Sequence, residues 1–489
     1  MMPPVVEGSV DNESVYPHHQ HPTDEYNKGH SRRSAFMDVV RRYKWYITAG
    51  TVVFILILCI AIPVSKKNKG GSNESISSVG SSSQTSPPGS DNSGSPTDPL
   101  ARKKADLMGR IKSGFDVLGL PESHSTMLDS PESPQARALS WVAGSDKYDE
   151  YNDDQRLQRY ALASFFYATY AVRNAYVTQQ VPWTTAEKWL SEEHECDWEG
   201  ITCSTPEESP TGNRVVTMIE MEEHRISGTI PLDLVLLRES LKSIVLTNNL
   251  IFMEGDAMNV FQYLENLEVL MLADNYIVER NGLPQALRNL GNLKKLILSY
   301  NLLQGAIRPN YFENLRKLSH LEVESNYLSG PLPSSIYEMD QLVYLYVRRN
   351  DLNFNFPHAI RTANWPNMFS MWFDHNNITG TFPTEMGKLT GLASFSLTNT
   401  TVRGTIPTEI GALTGLRRMW LYGNNLHGTI PTQLGNLPIL EVAEMYGNNL
   451  EGSMPQGACE AIAAATYDYK VLSADCGKVQ CQNCCTQCY

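Results

Sequence analysis

Residues 416–431 read LRRMWLYGNNLHGTIP, and their skeleton is L-x-x-L-x-L-x-x-N-x-L-x-G-x-I-P. The same skeleton recurs from residue 214 onward. The positions equivalent to Asn424 are His224, Asn249, Asn275, Asn301, Asn326, Asn350, Asn376, Thr400, Asn424 and Asn448, spaced 24 to 26 residues apart. The first part of each unit alternates apolar and variable residues, as a short strand with one buried side does, so Leu296 and Leu298 are expected to point inward. An Asn after the strand can turn its amide inward and satisfy backbone groups that the bending chain leaves unpaired. One unit cannot bury its own apolar face, whereas about ten stacked units can. The expectation is an α/β solenoid with one long parallel sheet.

This period and pattern are those of a leucine-rich repeat. After the Asn come Gly228, Gly305, Gly330, Gly380, Gly404, Gly428 and Gly452, and then Pro231, Pro333, Pro357, Pro383, Pro407, Pro431 and Pro455. That L-x-G-x-I-P half resembles the plant-type repeat, which implies a second short strand and a twisted superhelix. Residues 241–290 lack this Gly and Pro, leaving the convex side of repeats two and three open. Cys196-Asp-Trp198-Glu-Gly200-Ile-Thr-Cys203 is similar to the N-terminal cap of the same family, which implies a Cys196–Cys203 disulfide. The resemblance covers residues 185–455 and is to plant-type receptor-like proteins and to membrane-anchored, kinase-less leucine-rich-repeat proteins of algae. Receptors of this kind often carry a kinase, but no Gly-rich loop, H-R-D or D-F-G occurs here.

Outside the repeats (214–455) the chain is expected to divide into six further parts. Residues 1–44 form a polar, disordered cytosolic tail. Residues 45–64, WYITAGTVVFILILCIAIPV, are twenty uncharged residues, enough for a transmembrane helix. Residues 65–98 are a Ser/Gly/Pro-rich stalk, 99–190 a helical region, 191–213 the N-terminal cap and 456–489 a Cys-rich C-terminal cap. Five Lys/Arg precede the span (Arg32, Arg33, Arg41, Arg42, Lys44) and three follow it (Lys66, Lys67, Lys69). This bias predicts a single-pass type II protein of the plasma membrane with its bulk outside the cell. The sequons at Asn73, Asn377 and Asn399 and all the paired cysteines then lie on the outer side. Cys196, Cys203, Cys459, Cys476, Cys481, Cys484, Cys485 and Cys488 read as a disulfide framework. The last six allow 15 pairings. Cys484 and Cys485 are not expected to pair with each other, and a zinc cluster is the alternative to disulfides. No cofactor or metal is expected.

With 40 Lys+Arg against 53 Asp+Glu, the net charge is −13. That argues against nucleic acid, which needs clustered bases. No catalytic constellation is present: His194-Glu195 starts like H-E-x-x-H, but Trp198 holds the second His position. The expectation is therefore a non-enzyme. The variable strand residues should line the concave face. There repeats six to ten bring together Tyr344, Tyr346, Trp372, Trp420, Tyr422 and Tyr446 with Arg348, Arg349, Arg418, Asp374 and His375, residue types enriched in binding hot spots. The competing reading is that these rings stack on one another and stabilise the sheet. The acids Glu220, Glu222, Glu223, Glu322 and Glu324 read as a solvated face. Arg among aromatics suits an acidic peptide, and aromatics also suit sugars. The functional expectation is a membrane-anchored recognition protein for an extracellular peptide, protein or glycan, signalling through a co-receptor. The alternatives are an adhesion scaffold at the cell wall or matrix, or a surface-displayed inhibitor of a secreted enzyme.

Overall fold

The computed structural model describes residues 98–120, 126–173, 176–177, 179–209, 212–466, 470–481 and 484–489. The tail, the apolar segment 45–64, Asn73 and almost all of the stalk lie outside these residues. Among the described residues no helix is long and apolar enough to cross a membrane.

Each of the ten repeats contributes one short strand, from Val216–Glu220 through Lys295–Ile297 and Arg418–Trp420 to Val442–Glu444. Consecutive strands pair in parallel and in strict register, Leu296 against Leu321 and Leu321 against Leu345. The sheet has 13 strands. The extra three come from the caps: Ile201–Cys203, antiparallel to the first repeat, and Val471–Ala474 and Gln487–Cys488 beyond the last. The inward residues Leu270, Leu296, Leu298, Leu321 and Met419 are at most 1% exposed. They form one core running the length of the array, and truncating any of them to Ala costs about 2–5 kcal/mol.

The Asn positions form a ladder. The Asn301 amide donates to the carbonyls of Leu272, Leu298 and Ser299 at 2.9, 3.1 and 3.2 Å. Its oxygen accepts the Ile277 N–H at 3.0 Å. The bonds to Leu272 and Ile277 tie each repeat to the one before it. Asn249, Asn275, Asn326, Asn350, Asn376, Asn424 and Asn448 also donate their amides to inward-facing carbonyls. Thr400 departs from the pattern, donating its hydroxyl to Asn424 instead. The residue before each ladder position from 249 to 448 is left-handed, from Asn248 (φ 55°) to Asn399 (φ 50°), which precedes Thr400, and then Gly423 and Gly447. At 423 a Cβ would lie 2.3 Å from Asn399 Oδ1, so a larger residue there would have to displace the Asn399 side chain.

The Gly half builds a second, convex sheet in two pieces of six and four strands. Repeats two and three join it through Leu250–Glu254 and Tyr276–Glu279 despite lacking the Gly and Pro. The two pieces part at repeat seven, which makes only isolated bridges, Asn355 to Thr379 and Thr381 to Arg403; a helix, Phe356–Thr362, follows the last strand of the six, Asp351–Leu352.

Among the described residues of the 99–190 region, helix formation ends at Thr169. The helices are α1 (Pro99–Val117), α2 (Pro134–Ala143) and α3 (Asp153–Thr169). Asp98, Ser133 and Asn152 cap them by accepting the N–H of Leu100, Ala136 and Gln155, and Pro99 and Pro134 open the first two. Residues 179–194 are irregular and carry Trp183 and Trp189 into the core. The region docks on the first repeat. Tyr160 Oη donates to Asp233 at 2.6 Å, and Gln135 donates to the same carboxylate at 2.8 Å. Gly228 lets the end of α3 approach, because a Cβ there would meet the Ala168 carbonyl at 2.4 Å. Cys196 and Cys203 are bonded, as the resemblance implies. The C-terminal pairs are Cys459–Cys484, Cys476–Cys488 and Cys481–Cys485. Cys476, Cys481 and Cys488 do bring their sulfurs within 4.8 Å of one another, and all three are held in disulfides.

Candidate ligand-binding face

Strand alternation sends Leu345, Met371 and Met419 into the core and turns their neighbours to the concave side. The parallel register then sets the concave residues in rows. The central row runs Ile297, Glu322, Tyr346, Trp372, Ser396, Trp420, Glu444 and Ser473. Tyr344, Tyr346, Trp372, Arg349, Arg418, Trp420 and Tyr446 are half-buried, and His375 is exposed. Arg348, Asp374 and Tyr422 are buried, at 9%, 5% and 8% exposure, rather than displayed.

The rings contact one another across the strands. Tyr346 stacks on Trp372 at 4.6 Å, Trp372 meets Trp420 edge-on at 6.2 Å, and Tyr422 stacks on Tyr446 at 4.7 Å. Tyr489 continues that last stack, 3.8 Å from Tyr446. His320 and Phe369 flank Tyr344 at 4.4 and 5.7 Å, and Phe369 is 44% exposed. Sequence reasoning missed His320, Phe369 and Tyr489. Phe369 stands just before its strand and Tyr489 beyond the last repeat, so neither falls in a repeat row.

Two of the three arginines lie against the chain's own acids. Arg348 bonds both oxygens of Glu324, at 2.5 and 3.2 Å, and its guanidinium lies 4.4 Å from the Trp372 ring centre. Burial opposes its charge, but Glu324 and Asp374 outweigh this and raise its pKa. Arg418 lies 3.5 Å from Glu441, which also takes Arg417 at 2.7 Å. The solvated reading of the acids fails at Glu324, which is 7% exposed and paired. Burial, with Glu324 nearby, pushes the Glu322 carboxyl up to about 7. Burial and Lys295 push His320 down to about 4.

A profile of the family described as Leucine rich repeat matches residues 291–352, and a second such profile matches 415–437. The chain carries leucine-rich repeats. Receptor-like protein 41 of Arabidopsis thaliana is 31% identical to this leucine-rich-repeat chain over 208 residues, 42% of the chain and 22% of that protein. The chain therefore spans about a fifth of the length of that relative. Among solved structures, a plant peptide hormone receptor, RGFR1 in complex with RGF2, is 25% identical with a TM-score of 0.42, covering 49% of this chain and 41% of that one. The Arabidopsis receptor kinase HAESA, in complex with the peptide hormone IDA and the co-receptor SERK1, is 22% identical with a TM-score of 0.46, covering 66% and 58%.

Proposed function

We propose that the chain is a membrane-anchored extracellular recognition protein whose concave face, over repeats six to ten, binds a peptide, protein or glycan. The observation that carries this reading is the set of half-buried rings Tyr344, Tyr346, Trp372, Trp420 and Tyr446 on one face of repeats six, seven, nine and ten. A solenoid needs only its inward residues to fold, and a wide aromatic face costs solubility unless something covers it. Similarity to a receptor-like protein supports the same reading. In this reading the apolar stretch 45–64 anchors the chain with its N-terminus in the cytosol, and a co-receptor carries the signal. Asn377 and Asn399 are exposed and open to glycosylation.

The second reading, an adhesion scaffold whose rings only brace the sheet, is favoured by the ring stacks and the internal Arg348–Glu324 pair. Glycan and peptide arrays probed with the full chain separate the two. Saturable binding that disappears in Trp372→Ala/Trp420→Ala, with the melting profile kept, supports recognition. Equal binding by both versions supports the scaffold.

A further inference from the structure

Repeat eight interrupts the aromatic row. Its concave residues Ser394, Ser396 and Thr398 are small, while Trp372 and Trp420 stand in register on either side of Ser396. The two indoles meet above it at 6.2 Å and 80°, and leave Ser396 and Thr398 only 7% and 2% exposed. The result is a floor of hydroxyls under two indoles.

The polar groups bordering this floor are not all satisfied. The Trp372 N–H donates to Ser394 Oγ at 3.2 Å. The Trp420 N–H, on the opposite side, is buried without a partner, and so is Oδ1 of Asp374. Asp374 is 5% exposed and sits next to Thr398 across the strand step, where the His375 N–H donates to the Thr398 carbonyl. Folded proteins leave few buried polar groups unpaired, because each costs about 1–3 kcal/mol. One open donor and one open acceptor flanking the same small-residue step mark a place where a ligand supplies the missing partners.

The ligand class follows from what the face withholds. Arg348 is already forked onto Glu324, and Arg418 is beside Glu441. A ligand carboxylate would have to displace an internal acid to reach either. At the repeat-eight step itself what stays available is apolar indole surface, hydroxyls, one indole N–H and one carboxylate oxygen. Convergence of a few polar groups on an aromatic-walled step suits a neutral ligand unit with an apolar face and hydroxyl edges. We propose that repeat eight is a subsite for one neutral sugar residue of a glycan. Its hydroxyls donate to Asp374 Oδ1 and accept from the Trp420 N–H, while the two indoles part to enclose its ring. This deepens the recognition reading and rests on it.

The test titrates the full chain in detergent micelles with cellohexaose and mannohexaose, and with an acidic and a basic hexapeptide, following indole fluorescence and heat. The expected result is saturable binding of a hexasaccharide that changes little on raising the salt about tenfold, since no ion pair forms. Asp374→Asn should weaken it about tenfold, as loss of a charge-assisted hydrogen bond does. Trp420→Phe, which keeps a ring but removes the N–H, should weaken it several-fold, and Ser396→Phe, which fills the floor, should abolish it. Failure of both sugars to bind overturns the proposal, as does salt-sensitive binding of a peptide in their place. Sugar binding that survives Asp374→Asn and Ser396→Phe but is lost in Trp372→Ala/Trp420→Ala overturns the subsite and leaves concave recognition standing. Binding indifferent to all four variants overturns both.

Discussion

Two stretches of one sheet share a backbone and a core and differ on the side they turn outward. In repeats two to four the concave residues Val245, Met271, Ala273 and Ile297 close into a small apolar cluster of their own. In repeats five to nine the same positions hold Glu322, Tyr346, Trp372, Trp420 and the Glu324–Arg348 pair. The inward residues and the Asn ladder hardly change between the two. What builds the solenoid is therefore separable from what decorates it, and the second stretch carries buried charge that stability alone does not require.

That separation can be broken at the ladder first. Asn301→Ala and Asn350→Ala each remove three amide bonds to carbonyls that keep a second donor and leave one buried backbone N–H, of Ile277 or Leu328, unpaired, so both should cost about 3–5 kcal/mol in chemical unfolding, alike in the two stretches. A much smaller loss at either would show that the ladder is not shared. Next is Glu324→Ala, which leaves Arg348 buried beside Asp374 alone. A loss of about 3 kcal/mol is expected, while Glu223→Ala, on the exposed acidic end, should cost under about 0.5 kcal/mol. Ile297→Ala should lower the melting temperature without touching ligand binding. Trp372→Ala/Trp420→Ala should reduce binding more than about tenfold.

The smallest effect is in pH dependence. The Glu322 carboxyl sits at about 7 in the folded chain against an ordinary 4.5. Its folded state thus holds a proton that the unfolded chain gives up, so its stability contribution is full below pH 4.5 and is lost as pH rises through about 7. His320, lowered to about 4 from 6.5, works the other way, losing stability as pH falls through that window. The two offset each other in the parent chain. Glu322→Gln should therefore be the more stable protein at pH 8, by about 1 kcal/mol after allowing for the solvent that reaches the carboxyl. That gain should vanish near pH 4, and an equal gain at both ends would refute the shift.

The repeat spacing made the fold legible because each ladder Asn and each inward Leu has one job that few residues can do. The Cys196–Cys203 bond was likewise legible through its cap motif. The strands at Val471–Ala474 and Gln487–Cys488 were not, because they pair without an L-x-x-N signature and are placed by disulfides whose partners sequence cannot choose. Nor were Leu250–Glu254 and Tyr276–Glu279 foreseeable from a Gly-Pro signature they lack. The row positions of the site residues could be read, yet their partners were missed. Glu324 and Arg348 occupy the same row in adjacent repeats, about 5 Å apart by strand spacing. That adjacency was signal enough to expect a pair in place of a free guanidinium and a solvated acid.

The most direct measurement is oxidative footprinting of the full chain with and without the oligosaccharide or peptide that the arrays return, comparing Met271 with Trp372 and Trp420. Protection of the two tryptophans with Met271 unchanged is the predicted result. Protection confined to Met271, or none on the concave face while ligand is bound, would contradict recognition by repeats six to ten.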